Sequence, residues 1–182
     1  EPNMDEDTRK EFSAIIQKNT EELMQLVNDV LDLSRLEANM MKFQIQEYDA
    51  VALCNDAIYM ARMRNEETIE IYFDTHIETQ PITTDTGRLI QALVSTLTYP
   101  QKNTTHREIT FTLTRDDSGK QICFRISNSP LADPEFNSQE VSIRHDINRL
   151  LLQHFGGSYN ITADEQERPV INFTYPLDII SE

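Results

Sequence analysis

The chain has 182 residues and a formal net charge of −15, with 16 Lys and Arg against 31 Asp and Glu. Nucleic acids and anionic lipid surfaces attract clusters of Lys and Arg, and the sequence has none, so it argues against both partners. No apolar run approaches the roughly 18 to 20 residues that span a bilayer, so direct membrane insertion is not expected. Hydrophobic residues make up 38% of the chain, which is enough for one core.

This length fits a helical element followed by one domain of about 140 residues. We divide the chain into a stem helix over 1–40 and a single α/β domain over 41–182, with a linker-like bend near 39–42. The sequence opens without an initiator Met, and we interpret it as part of a longer protein.

The stem is predicted to form one helix over residues 8–39. Its apolar residues follow the spacing of a helical seam, broken by Asn19: Phe12, Ile16, Leu23, Leu26, Val30 and Leu33. Further apolar residues widen this stripe, as in a helix that buries two flanks in a four-helix bundle. Periodicity alone leaves two interpretations open, namely a core helix of a monomeric domain and a dimer stem.

Helical and strand patterns alternate through the rest of the chain. The predicted strands are 42–45, 69–73, 109–113, 121–126, 159–162 and 170–175, and the predicted helices are 50–64, 85–98 and 140–155. The glycines Gly156 and Gly157 are expected to end the last helix. This order predicts a two-layer α/β sandwich in which helices cover one face of a mixed sheet.

Four local motifs occur in order along the chain, in residues 19–38, 85–93, 156–158 and 173–177. Together they resemble sensor histidine kinases from about residue 8 to 178. The first resembles the second helix of the dimerisation and phosphoacceptor hairpin, and the others resemble the ATP-binding domain. The resemblance implies two-component signal transduction and a phosphorelay, with ATP and Mg²⁺ as cofactors. It also implies a homodimer through the stem, a response regulator or neighbouring signalling domain as partner, and a cytoplasmic location, with a parent that is membrane-anchored in many family members.

The metal position of the family is altered in this chain. The resemblance places Tyr99 where an Asn would hold Mg²⁺, and Ser95 where another Asn would lie. A neutral phenol is a poor ligand for Mg²⁺, which prefers hard oxygen ligands. Lys102 matches a phosphate-contacting Lys, although a single surface Lys is more often simply solvated.

The adenine position is altered as well. The family uses an Asp followed by two glycines that let the backbone pass close to the base, and the matching residues here are Asn128, Pro130 and Ala132. Asn128 could still accept one hydrogen bond, but Pro130 fixes its own φ and lacks an N–H. An ordinary strand-to-loop turn is the favoured alternative interpretation of this segment.

The phosphate-binding lid of the family ends in glycines at a helix N-terminus, where backbone N–H groups meet the phosphates. The matching positions here are Ser142 and Arg144. Arg144 could bind an anion at that helix start, and a solvated charge is the alternative.

The phosphoacceptor His of the family is not recognisable in this sequence. His76, His106, His145 and His154 all lack the acidic and apolar context that surrounds it in the family. We therefore expect the first helix of the hairpin, with its His, to lie upstream of this chain.

These substitutions lead to the hypothesis of a degenerate, pseudokinase-like module without catalytic residues, metal ligands or bound ATP and Mg²⁺. Lys102, Asn128 and Arg144 would be remnants of the ATP site, and the chain would act as a scaffold or regulatory domain. One alternative is an active but divergent histidine kinase that phosphorylates a His upstream of this fragment. Another is a domain that binds a different ligand or a protein on the vacated groove.

Overall fold

The computed structural model describes residues 5–65, 68–100 and 105–177. The helices are α1 (Glu6–Glu37), α2 (Ala50–Asn65), α3 (Thr86–Leu97) and α4 (Gln139–His154). The strands are β1 (Ile45–Asp49), β2 (Ile69–Thr75), β3 (Pro81–Asp85), β4 (Arg107–Arg115), β5 (Gln121–Ser127), β6 (Ser158–Ala163) and β7 (Pro169–Pro176). Two short 3₁₀ turns, Pro130–Ala132 and Pro134–Phe136, lie between β5 and α4.

The main sheet has five strands in the order β2-β4-β5-β7-β6. Strands β2 and β4 are parallel, and the other neighbours are antiparallel. A separate antiparallel pair, β1 and β3, lies beside the helices of the sandwich. The predicted α/β architecture with a mixed sheet and a long N-terminal helix is confirmed.

One face of the sheet is apolar because apolar and polar residues alternate along its strands. Along β4, Ile109, Phe111 and Leu113 are fully buried, whereas Thr110 and Thr114 are exposed and Thr112 is half-buried. The buried side chains pack with those of α2, α3 and α4 in one core. The opposite face is polar and solvated, so it needs no second layer of helices.

The ends of the last two helices follow the sequence signals. The carboxylate of Asp85 accepts a hydrogen bond from the backbone N–H of Arg88 at 3.0 Å and caps α3. After α4, Gly156 adopts a φ of 78°, a conformation that glycine adopts without strain. The predicted glycine stop is confirmed.

Two elements differ from the sequence-based expectation. The strand expected at 42–45 lies at Ile45–Asp49, and its partner Pro81–Asp85 was not predicted. This partner strand is short, begins at a proline and contains two threonines before a helix cap, so its apolar alternation is weak. Helix α1 also begins earlier than expected, because Asp5 accepts from the backbone N–H of Thr8 at 2.7 Å and caps it.

The stem helix α1 exposes most of its apolar residues. Only Asp29, Asp32 and Leu36 are buried along its length. Within the predicted stripe, Phe12 is 50% exposed and Leu23 is 60% exposed. An ordinary core helix would bury such residues, so this finding argues against that interpretation of the stem. Among the described residues, no helix has the length and apolar character needed to cross a membrane.

We predict that Gly157→Ala destabilises the protein, because an added Cβ would lie 2.0 Å from the carbonyl oxygen of Thr174 on β7. The expected loss in the free energy of unfolding is about 1–3 kcal/mol, the usual cost of overpacking. Urea denaturation followed by circular dichroism measures it.

Gly87→Ala is the matched control. Its Cβ would meet only Asp85 Oδ1 at 3.6 Å, an ordinary contact. Alanine has a higher helix propensity than glycine, so this variant should be unchanged or stabilised by up to about 1 kcal/mol. Equal stabilities for the two variants would contradict the predicted clash.

Candidate functional site

The predicted site residues lie around one end of the sandwich, where α3 ends, β5 ends and α4 begins. Direct contacts join these elements. The Ser129 hydroxyl donates to the carbonyl oxygen of Thr96 at 2.7 Å, and the Asn148 amide donates to the Ser95 hydroxyl at 3.1 Å. Lys102 lies outside the described residues.

Tyr99, at the position of the expected metal ligand, is held by the protein itself. Its hydroxyl donates to the carbonyl oxygen of Thr105 at 2.7 Å. Its ring packs edge-on against Phe136 with 5.5 Å between centroids, and the guanidinium of Arg107 lies 5.7 Å from the ring centroid. The tyrosine therefore serves as a packing and hydrogen-bonding residue.

Asn128 uses both ends of its side-chain amide for internal contacts. Its Oδ1 accepts from Arg107 at 3.1 Å, and its Nδ2 donates to the carbonyl oxygen of Glu108 at 2.9 Å. Its φ of 62° lies in the left-handed region, which Asn tolerates better than most residues. Arg107 also donates to the carboxylate of Asp133, and both of these side chains are largely buried. The turn is thus fixed by a charged network that the sequence did not reveal.

The segment that replaces the glycine turn of the family is packed into the core. Pro130 is buried and Leu131 is fully buried, whereas Ala132 is half-buried. Leu131 belongs to the main core cluster together with residues of α3 and the sheet. The turn that carries this apolar side chain packs against α3 and β7 at this end of the sandwich.

Helix α4 begins before the positions that match the lid glycines. The Ser138 hydroxyl accepts from the backbone N–H of Val141 at 3.3 Å and caps the helix. Ser142 therefore lies inside the first turns, with its N–H bonded to the Ser138 carbonyl oxygen. Arg144 lies further along the helix, and its Nε is 3.6 Å from the Asp29 carboxylate on the stem.

His145 occupies a half-buried position that sequence reasoning did not identify. One ring nitrogen contacts the Tyr159 hydroxyl and the other contacts the carbonyl oxygen of Leu131 at 3.1 Å. Burial lowers the pKa of His145, so the neutral imidazole is favoured. A carbonyl can only accept, so Nε2 carries the proton and Nδ1 accepts from Tyr159. Burial also raises the pKa of Tyr159 and keeps its hydroxyl protonated.

Within the described part of the chain, one group of three side chains brings metal-binding atom types together, namely Glu70, His106 and Glu108. All three are exposed. Glu70 and Glu108 alternate with buried Ile71 and Ile109, so they project from the sheet face opposite the helices. His106 and Glu108 also line a surface pocket together with Tyr99 and Asn128, so this group borders the metal position that the resemblance predicts.

A cavity of about 170 Å³ lies between the stem and the sandwich. Its wall carries polar and charged side chains, including Gln25, Asp29, Arg88, Gln91, Ser95 and Arg144. Leu36 of the stem and Leu151 of α4 contribute apolar surface to it. The stem therefore meets α3 and α4 across a partly polar junction.

Comparisons of sequence found histidine kinases. No family model matches the chain. Hybrid signal transduction histidine kinase A of Dictyostelium discoideum is 26% identical over 119 residues, which is 65% of this chain and 6% of that protein. An uncharacterised sensor-like histidine kinase, ycf26 of Pyropia yezoensis, is 36% identical over 72 residues, which is 39% of this chain and 11% of that protein. The chain thus spans a small part of the length of these relatives.

Comparisons of structure found the same class of protein. Full-length ShkA, solved in complex with AMPPNP, superimposes with a TM-score of 0.73 at 20% identity, covering 99% of this chain and 41% of that one. The histidine kinase ThkA, solved in complex with the response regulator protein TrrA, gives a TM-score of 0.71 at 16% identity, covering 98% of this chain and 54% of that one. At these identities the likeness establishes the fold.

We predict that Leu131→Ala lowers the free energy of unfolding by about 2–5 kcal/mol, because it leaves a cavity where a fully buried side chain was. Chemical denaturation measures this change. The exposed neighbour Asn137 provides the control, since Asn137→Ala should change stability by less than about 0.5 kcal/mol. A Leu131→Ala variant as stable as this control would show that Leu131 is not a packing residue.

We predict that His145 makes the fold less stable in mild acid. Its pKa is lowered in the folded state, so the unfolded chain binds this proton more tightly than the folded protein does. Its contribution is therefore full at pH values above about 6.5, the unfolded value, and is lost as the pH falls below it. The measurement is the free energy of unfolding from pH 8 to 5 for the natural protein and for His145→Gln, with the exposed His76→Gln as control. The difference in the free energy of unfolding between the natural protein and His145→Gln should change with pH. Parallel curves of this free energy against pH would contradict the lowered pKa of His145.

Proposed function

We propose that this chain, which resembles sensor histidine kinases in sequence and shares their fold, is a regulatory or scaffold module whose ATP and Mg²⁺ site is degenerate. It would belong to a two-component signalling pathway and transmit signals through its conformation and contacts. The observation that carries the proposal is that residues at the expected ligand positions are already engaged by the protein itself.

Three separate positions support this proposal. The Tyr99 hydroxyl donates to a backbone carbonyl, the Asn128 amide is bonded at both ends, and Pro130, at a glycine position of the family, is buried. The first two side chains cannot turn toward a nucleotide or its metal without giving up an internal hydrogen bond. Pro130 lacks a backbone N–H and fixes its φ, so the close approach of the backbone to a base that a glycine allows is lost.

Phosphoryl transfer would be sensitive to the loss of several ligand contacts at once. Such transfer depends almost entirely on positioning the phosphates and on stabilising their charge, in which Mg²⁺ has a large share. Tyr99 offers a neutral phenol in place of an amide ligand, and Arg144 faces the stem. A site that lacks its metal ligand and its glycine-rich phosphate contact would therefore transfer phosphate poorly.

The stem supports the proposal of a homodimer in the intact protein. Its apolar stripe is largely exposed, as illustrated by Ile16 at 65% and Val30 at 44%. An upstream helix and a second copy of the stem would bury this stripe in a four-helix bundle. By analogy with the solved ThkA–TrrA pair, the partner we propose is a response regulator or a neighbouring signalling domain. We also propose a cytoplasmic location for this part of the protein.

An active but divergent histidine kinase is the second candidate. The sequence relatives favour it, because they are named histidine kinases. In that case Asn128, Arg144 and Lys102 would form a rearranged pocket, and the phosphorylated His would lie upstream. The third candidate is a binding site for another ligand on the vacated groove, and a surface pocket of about 400 Å³ lined by Tyr99, Arg107 and Asn128 favours it.

We predict that ATP, with or without Mg²⁺, does not bind this chain at millimolar concentration. Titration calorimetry should give no binding heat. A thermal-shift assay should show no rise in the unfolding temperature, because any ligand specific for the folded state would raise it.

Binding in the micromolar to submillimolar range would contradict the proposal if it were weakened by Asn128→Ala, Arg144→Ala or Lys102→Ala. Thr114→Ala on the opposite face of the sheet is the matched control and should leave any binding unchanged. Detectable phosphorylation of the intact protein that depends on these three residues would favour the active kinase instead.

A further inference from the structure

Three side chains of metal-binding type meet on the solvated face of the sheet, opposite the helices. They are Glu70 on β2, His106 immediately before β4, and Glu108 on β4. One ligand atom of each lies within 4.8 Å of the other two. Glu70 is far from the other two in the sequence, so no local spacing of residues indicates this group.

The sheet itself holds these residues side by side. Glu70 and Glu108 are direct partners in the register of the parallel strands β2 and β4. His106 and Glu108 flank Arg107, so the alternation of a strand places their side chains on one face. The backbone N–H of Arg107 donates to the carbonyl oxygen of Thr68 at 3.0 Å, which fixes the chain beside His106. Ligands that are already in place lose little conformational freedom when an ion binds.

The separation of these side chains fits a shared ion better than a direct contact. The distance from His106 Nε2 to Glu70 Oε1 is 3.8 Å, which is too long for a hydrogen bond. In a tetrahedral Zn²⁺ site with metal–ligand distances of about 2.0–2.2 Å, a nitrogen and an oxygen ligand are about 3.3–3.5 Å apart. A small rotation of two exposed side chains would therefore bring these atoms to coordination distance.

The two carboxylates also have an unfavourable charge arrangement. Among the described residues, no Lys or Arg forms an ion pair with Glu70 or Glu108, and like charges directly opposite on neighbouring strands are destabilising. The Tyr72 hydroxyl donates to Glu70 Oε2 at 2.6 Å. This hydrogen bond and the charges of Glu70 and Glu108 raise the pKa of Tyr72, as expected in a negative field. A bound cation would relieve the repulsion, and Oε1 of Glu70 remains available to coordinate it.

The combination of one imidazole and two carboxylates favours Zn²⁺ over the common hard cations. Imidazole is a good ligand for Zn²⁺, whereas Mg²⁺ and Ca²⁺ prefer oxygen ligands alone. Three protein ligands and one water would complete the four-coordinate geometry that Zn²⁺ prefers. All three side chains are exposed, so the ion and its water can reach them without opening the fold.

We propose that Glu70, His106 and Glu108 bind one Zn²⁺ ion on the outer face of the sheet. The ion would join the edge strand β2 to β4 and neutralise the two facing carboxylates. The site borders the pocket that Tyr99 and Asn128 line, but none of its ligands lies at a position that the resemblance assigns to ATP or Mg²⁺. The proposal therefore stands or falls separately from the degenerate nucleotide site.

The test is titration calorimetry of Zn²⁺ into the whole chain, without nucleotide and without a histidine tag, at neutral pH. A Cys123→Ser background removes the half-buried thiol as a competing ligand, and Cys54 is buried. One ion should bind per chain. Binding should also raise the unfolding temperature, because the ion is specific for the folded sheet.

His106→Ala should weaken Zn²⁺ binding about tenfold or more, since even the loss of a group outside the ligand set commonly costs 10–100-fold in affinity. Glu70→Gln and Glu108→Gln should weaken it as well, because each keeps the shape of the side chain but removes its charge. The matched controls are the exposed residues His76 and Glu11, and His76→Ala and Glu11→Gln should leave the affinity unchanged. An excess of Mg²⁺ should not displace the Zn²⁺.

No binding at millimolar Zn²⁺ would overturn the proposal. Binding that His106→Ala leaves unchanged would also overturn it, because the ion would then be held elsewhere. Circular dichroism confirms that each variant is folded. If a variant does not fold, nuclear magnetic resonance of the natural protein replaces it, and Zn²⁺ should then shift the ring signals of His106 and leave those of His76 in place.

Discussion

The buried carboxylates of the stem are the constraint on which the arrangement of the molecule depends. A carboxylate that leaves water needs an opposite charge, and Asp29 and Asp32 find theirs on two separate helices of the sandwich. This requirement turns the charged side of α1 inward and leaves its apolar stripe outward. It also assigns a structural contact to Arg144, where the resemblance implies a phosphate-binding glycine. The need to pair the buried carboxylates thus fixes which side of the stem faces the sandwich. It also occupies Arg144, which lies at the adjoining end of the sandwich.

At that end, polar side chains that would be available to a ligand are bonded to the protein instead. Arg107 joins Asn128 to Asp133, and His145 joins the Leu131 backbone to Tyr159. Such networks are costly to open, because every group left without a partner in a buried place loses the free energy of its hydrogen bond. The segment between β5 and α4 is therefore a packed and bonded part of the domain, consistent with the proposed degenerate site.

Local signals in the sequence were sufficient to predict most of the helices and strands. The cap at Asp85, the stop at Gly156 and the alternation along β4 each depend on neighbouring residues, and each was predictable. Strand β3 was missed because its threonines give little apolar contrast. The Asp29–Arg144 pair joins residues far apart in sequence, so no local pattern indicates it. The same holds for the burial of Leu131, since a turn sequence does not reveal whether its apolar residue faces the core.

The position of β7 within the sheet has a consequence for synthesis on the ribosome. This strand lies between β5 and β6, yet it is the last of the three in the chain. Until Pro169–Pro176 has emerged, β5 keeps an open edge and β6 has no partner in the sheet. The stem helix forms from local contacts and can fold early, whereas the sandwich must wait for its final strand. A chain that stalls or is cut before this segment therefore exposes an unpaired edge, the kind of surface through which nascent proteins aggregate.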